Sequence, residues 1–168
     1  MDLSITQGVA MVTLYGIPNT PENLVFILGK FAELDINIDM ISRSASLKED
    51  FNLSFTLSQG KLNEAMLAIK SIKKAFPPLF ADINGYNAKI TFKSEKMKDE
   101  SGTASSIFSM LLKQGVEVKM ITTSETEISC LIDEKDIYKF KTENNGEAFL
   151  AVYFEVKYET YKNLCKIL

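Results

Sequence analysis

The spacing of apolar residues changes period along this chain, and it does so twice in the same order. Residues 9–15 (VAMVTLY) alternate and are β-rich, and Gly16 closes the run. Asn19-Thr20-Pro21-Glu22 then carries helix start signals: a capping Asn or Thr, a proline suited to the first helical position, and an acid for the positive end of the dipole. Leu24, Ile27, Leu28, Phe31 and Leu34 follow at i, i+3, i+4, i+7 and i+10, one apolar helix face. Ile36, Ile38 and Met40 or Ile41 return to period two. Ser42 to Asp50 reads as a polar turn and Phe51 to Leu57 as a second strand. Leu62, Ala65, Met66, Ile69 and Ile72 are again helically spaced, and Pro77-Pro78 stops them. Ala81 to Gly85 reads as a short closing strand.

Residues 21–44 align with residues 101–124 without a gap, at an offset of 80 (101 − 21). Met40, Ile41 and Ser44 fall on Met120, Ile121 and Ser124, and Ile27, Leu28 and Phe31 on Ile107, Phe108 and Leu111. Ala88 to Phe92 matches Ala10 to Leu14 at 78, so the loop before the second helix is two residues longer. A repeat of this length means two copies of one fold unit. The pattern predicts strands near 9–15, 36–42, 51–57, 88–93, 116–122 and 127–132, and helices near 21–34, 61–75 and 102–114. The order β-α-β-β-α-β, twice, predicts an α+β fold of two ferredoxin-like units, with antiparallel sheets and helices on one face. The expected boundaries are 1–86 and 87–168. Within the second, Glu134 to Asp136 carry weak helix signals, 148–158 resembles a strand and 160–168 a short helix.

Composition narrows the function. Hydrophobic residues make up 46% of the 168 and charged residues 24%, ordinary for a globular protein. A net charge of −3 gives no electrostatic footprint for nucleic acid. No apolar run is long enough for a membrane span and no signal peptide opens the chain, so a cytoplasmic location is expected. There is no histidine, which removes His general bases, His-activated nucleophiles and most zinc sites. Cys130 and Cys165 have no metal-ligand spacing; Cys130 reads as strand packing, as Met40 and Met120 read as core. No metal and no cofactor is implied. Neither a Walker loop nor a GxGxxG is present.

The strings VTLYGI, INIDMIS and SFT in the first copy, with AKIT, MITTSE and ISCLID in the second, resemble the ACT domain, a small amino-acid-sensing module. In combination and order they resemble the tandem ACT region that ends aspartokinases, over about residues 5–135. That resemblance implies feedback regulation of an aspartate kinase by an end product, lysine and/or threonine. It also implies a homodimer through the ACT units, and a kinase catalytic domain as partner, fused or separate. The family's catalytic domain begins with a Lys-Phe-Gly-Gly-Thr-like phosphate loop, which does not occur here. The chain is therefore expected neither to hydrolyse ATP nor to phosphorylate aspartate. The alternative is an ACT dimerisation module that binds no effector.

The resemblance also maps an effector site. In the first copy it covers Asn19, Thr20, Pro21 and Glu22 before the helix, with Asn37, Ile38, Asp39 and Arg43 on the following strand. In the second it covers Met97, Lys98, Asp99, Ser101, Gly102, Thr103 and Ala104, with Glu117, Val118 and Ser124. Helix N-terminal N–H groups suit a ligand carboxylate. The family's Pro-Gly at this point is Pro21-Glu22 in the first copy, where Glu22 places a carboxylate of its own; the second keeps the glycine as Gly102. An effector is thus expected to prefer the second loop.

Overall fold

The computed structural model describes residues 1–45 and 49–140; the expected strand at 148–158 and helix at 160–168 lie outside them. The chain divides into two compact units, Gly8–Asn87 and a second built from Ala88 onward together with Met1–Gln7. The N-terminal seven residues, which the repeat assigned to the first copy, thus belong with the second. The reason is their alternation: Met1, Leu3 and Ile5 all pack against the second core.

The first unit contains β1 (Asp2–Pro18, from Gly8), α1 (Pro21–Ala32), β2 (Ile41–Ala45), β3 (Asp50–Ser58), α2 (Leu62–Ala75) and the first half of β4 (Phe80–Lys93). Its strand order is β2-β3-β1-β4, with β3 antiparallel to both β1 and β2. This is the ferredoxin-like βαββαβ arrangement. Val12 and Leu14 of β1, Leu53 and Phe55 of β3, Ile27 and Phe31 of α1 and Ile72 of α2 share one core. The Phe31 and Phe55 rings meet edge to face, 4.8 Å between centroids. Thr13 faces away from that core, and its hydroxyl lies 3.0 Å from that of Ser54 across the strand pair.

The second unit contains the second half of β4, α3 (Thr103–Lys113), β5 (Val118–Thr123), β6 (Glu127–Asp133) and a 3-10 helix at Glu134–Phe140. Its strand order is β1-β4-β6-β5. The place beside its leading strand, which β4 fills in the first unit, is taken here by residues 2–7. Ile90, Phe92, Ile107, Met110, Cys130 and Ile132 form its core. The Thr13–Ser54 pair has its counterpart in Thr91 and Ser129, 2.8 Å apart.

The repeat extends to individual hydrogen bonds. After α1, Ile36 N–H donates to Phe31 C=O and Asp35 N–H to Ala32 C=O; after α3, Val116 donates to Leu111 and Gly115 to Leu112. Both are αL helix ends, with φ 53° at Asp35 and 62° at Gly115. Asp35 is a non-glycine in a conformation that favours glycine, and its side chain is fully exposed. Asp35→Gly should therefore raise stability by about 0.5–1 kcal/mol. An unchanged urea midpoint would show that the αL residue carries no strain.

Several elements differ from the sequence reading. β2 begins at Ile41 rather than Ile36, and runs through Ser42–Ala45, where the polar residues predict a turn. The cause lies in the partner strand: Thr56 bonds Met40 twice, its backbone N–H to the Met40 carbonyl and its hydroxyl to the Met40 N–H. Regular pairing starts only after that doubled contact. The strands read at 81–85 and 88–93 are one, continuing through Tyr86 at φ 56°. β1 also outruns its expected limits. Gly8 and Gly16, both at positive φ, let it continue, the latter within a register shift between Leu14 and Ile17.

Cys130 is wholly buried, and burial pushes its thiol up to about 12 from an ordinary 9.0. The folded thiol therefore keeps its proton where the unfolded one ionises. The stability it contributes is full below pH 9 and declines as pH rises from there toward 12. Between pH 8 and 10 the wild type should lose about 1.4 kcal/mol more than Cys130→Val. Equal pH slopes in urea melts of the two proteins would disprove this.

Candidate functional site

Pro18-Asn19-Thr20 leads into α1. Pro21 sits at the first helical position, where a missing N–H costs nothing. The Thr20 hydroxyl accepts from Asn23 N–H at 3.4 Å, and Asn23 Nδ2 donates back to the Pro18 carbonyl at 2.9 Å. Glu22 is held below its ordinary carboxylate range, first by its own backbone N–H and then by the Thr20 hydroxyl. The helix start is thus closed by groups of the chain itself, with the Glu22 carboxylate lying where free N–H groups would otherwise await an anion. Arg43 reaches this loop from β2. Its guanidinium donates to Asn19 Oδ1 at 2.6 Å and lies over the Phe51 ring, 4.5 Å from the centroid.

The start of α3 is built differently. Gly102 takes the capping position at φ 85°, no side chain caps the helix, and its first turn carries no acid. The Ser106 hydroxyl donates to the Gly102 carbonyl and the Thr103 hydroxyl to the Glu100 carbonyl, both at 3.2 Å, and neither caps the first N–H groups of the helix. Ser101, Gly102 and Ala104 are exposed; Thr103 is buried. Met97, half-buried, packs on the core, and Lys98 and Asp99 are exposed in and just after a 3-10 turn at Glu95–Lys98. The loop is anchored to the β5–β6 turn by Ser94 N–H, which donates to Thr126 C=O at 2.9 Å. Ser124 belongs to that turn, where its hydroxyl accepts from Glu127 N–H at 3.1 Å.

Within each unit the expected site residues divide into two groups. Asn19, Thr20, Pro21, Glu22 and Arg43 come together at the start of α1. Asn37, Ile38 and Asp39 do not join them. Asp39 N–H pairs with Thr56, which lies opposite Met11, whereas the helix loop follows Pro18, opposite Asp50. Seven residues of strand separate those levels, roughly 20 Å. In the second unit Ser124 is near the helix loop, but Glu117 and Val118 lie at the far end of β5, roughly 15 Å away. There Lys119 and Lys135 flank Asp133 at 3.8 and 3.2 Å. Asp133 is lowered chiefly by the backbone N–H of Lys135. Among the described residues no group of three His, Cys, Asp or Glu could hold a metal ion, and no helix is long and apolar enough to cross a membrane.

The ACT domain family matches residues 90–139. The aspartokinase of Bacillus sp. (strain MGA3) is 30% identical over 141 residues, and that of Helicobacter pylori (strain 26695) 33% over 141 residues. Each alignment covers 80% of this chain and 34% of the relative, so the chain spans about a third of the length of these curated relatives. A crystal structure of aspartokinase alpha and beta subunits superposes with a TM-score of 0.72 at 27% identity, covering 80% of this chain and 88% of that one.

The chain belongs to the aspartokinase ACT regulatory regions.

The fold agrees with a further structure, the ligand-free regulatory subunit of aspartate kinase from Thermus thermophilus (TM-score 0.75, 22% identity, 93% and 97% of the two chains). The chain is thus a regulatory module of two like units whose helix starts are unlike. Sequence reading missed the clasp of Arg43 on Asn19. An arginine in a polar stretch looks like a solvated loop charge, and only the pairing of Arg43 with Leu53 in β3 brings β2 level with the α1 loop.

Proposed function

We propose that this ACT region binds a free amino acid at the start of α3 and passes that binding to an aspartate kinase catalytic domain, fused or separate. Lysine and threonine are the candidate effectors, as end products of the pathway that aspartate kinase opens. The observation that carries the reading is the contrast between the two helix starts. α1 is closed by Thr20 and Glu22, whereas α3 presents its first N–H groups at an exposed glycine with no acid in its first turn. An effector carboxylate would take those N–H groups, and glycine lets it approach the backbone closely. The segment Asn37–Asp39 lies too far from the helix loop of its own unit, which favours a site completed by a second copy of the chain.

Such a site couples binding to assembly, and a homodimer through the ACT units is part of the proposal. Every residue of β2 is exposed, and as the outermost strand of its unit it offers an unpaired edge. A cytoplasmic setting fits a sensor of free amino acids. Regulation then needs an effector that binds one arrangement of the kinase better than another. Calorimetric titration of the chain with lysine and with threonine, alongside light scattering, tests the reading. Saturable binding of either amino acid by a species of twice 18.8 kDa supports it. No heat with either, at millimolar protein and ligand, favours the module without an effector.

A further inference from the structure

A groove in the first unit shares no residue with either helix start. Met66, Ile69, Lys70 and Lys73 of α2 form one side, at i, i+3, i+4 and i+7, and Ala81 and Ile83 of β4 form the other. Its volume is about 270 Å³, room for roughly nine waters or a molecule of about ten non-hydrogen atoms. Its apolar wall is open to solvent: Met66 is 57% exposed and Ile83 39%. Scattered apolar residues on a surface need no explanation. Here, however, they line one concavity together with two ammonium groups. Among the described residues neither Lys70 nor Lys73 forms an ion pair or hydrogen bond, while Lys61, at the start of the same helix, lies close to both Asp35 and Glu64. Lys73 complements the negative end of α2; Lys70, in mid-helix, has no such role. No carboxylate, amide or hydroxyl side chain lines the groove.

From this we infer that the groove binds a small aliphatic carboxylate without an amino group. The carboxylate would lie between Lys70 and Lys73, with the chain along Met66, Ile69 and Ile83. A free amino acid is the wrong ligand, because its ammonium would face two like charges and find no side-chain acceptor. The site therefore differs in residues and in chemistry from the amino-acid site proposed at α3.

Octanoate is a suitable probe, read on the full chain by methyl NMR. Saturable shifts are expected at the Met66, Ile69 and Ile83 methyls, with half-saturation at low millimolar concentration, the range an open groove of this size supports. Lys70→Glu/Lys73→Glu should raise the half-saturation point at least tenfold, and Lys70→Arg/Lys73→Arg should keep it. Octylamine and leucine should leave these methyls unmoved. The inference is overturned if octanol binds as well as octanoate, if leucine shifts the same methyls, or if octanoate fails to saturate them by about 20 mM. Both exchanges alter exposed side chains on a helix surface, and the arginine pair controls for any effect on folding.

Discussion

Replacing Leu3 and Ile5 together by aspartate should open the second unit and leave the first folded. Both side chains are half-buried and pack on the core of Ile90, Phe92 and Cys130. Each loses apolar burial and gains a charge that the site cannot solvate fully, for a combined loss of about 3 kcal/mol. Amide exchange reads this locally. Ile90 and Phe92 should lose protection by two orders of magnitude, while Val12 and Phe55 keep theirs. Equal protection of Ile90 and Phe92 in variant and wild type would show that residues 2–7 contribute nothing to that unit. The experiment bears on function too, since β4 leads directly from that core into the loop that positions Gly102.

An added acid at the start of α3 should weaken effector binding, and removing the acid at α1 should strengthen it. Ala104 is exposed in the first turn of α3. Ala104→Glu sets a carboxylate beside the one an effector would bring, and two like charges roughly 4 Å apart should lower affinity on the order of tenfold at low salt. Gly102→Glu should act in the same direction, although at φ 85° any side chain is also strained. Glu22→Gly should open the α1 start, raising affinity there or adding a second binding step. Titrations of lysine and threonine into wild type and all three variants measure this. If none of the three changes affinity, the helix starts are not where the effector binds. The α1 start also has a pH dependence. Because Glu22 sits below its ordinary 4.5, its stabilising effect is present above that value and is lost as pH falls.

The parts of this fold that a sequence shows are those decided by neighbours along the chain. Helix α1 announces itself through Thr20, Pro21 and an apolar face; both its cap and its first residue lie where those residues place them. What the sequence does not show is decided by neighbours across the sheet. Ile36, Ile38 and Met40 alternate as a strand would. Ladder pairing nevertheless begins at Ile41, because Thr56 takes the Met40 N–H on its hydroxyl. Ser42 to Ala45 look like turn residues and become a strand because β3 offers them an edge. Met1, Leu3 and Ile5 alternate as a strand would, yet the pattern reading begins the first strand at Val9, and the unit that residues 2–7 complete lies far along the chain. Of the mapped site, the groups before each helix do gather there, while Asn37–Asp39 precede β2, Glu117 precedes β5 and Val118 opens it, all many residues from the helix starts along the ladder.

The way β1 and β4 each belong to both units has a consequence during synthesis. Residues 2–7 leave the ribosome before all of Gly8–Asn87, yet the part of β4 that belongs to their unit begins only at Ala88. At ordinary translation rates of about 5–20 residues per second, that segment waits several seconds without its partner. The unit Gly8–Asn87 meets no such delay, since every strand it needs is local to it. Folding should therefore proceed from the middle of the chain outward, with the inserted unit acting as a completed bracket that holds the early strand until the late one arrives. The unit with the open helix start, the one expected to sense the effector, is the last to close.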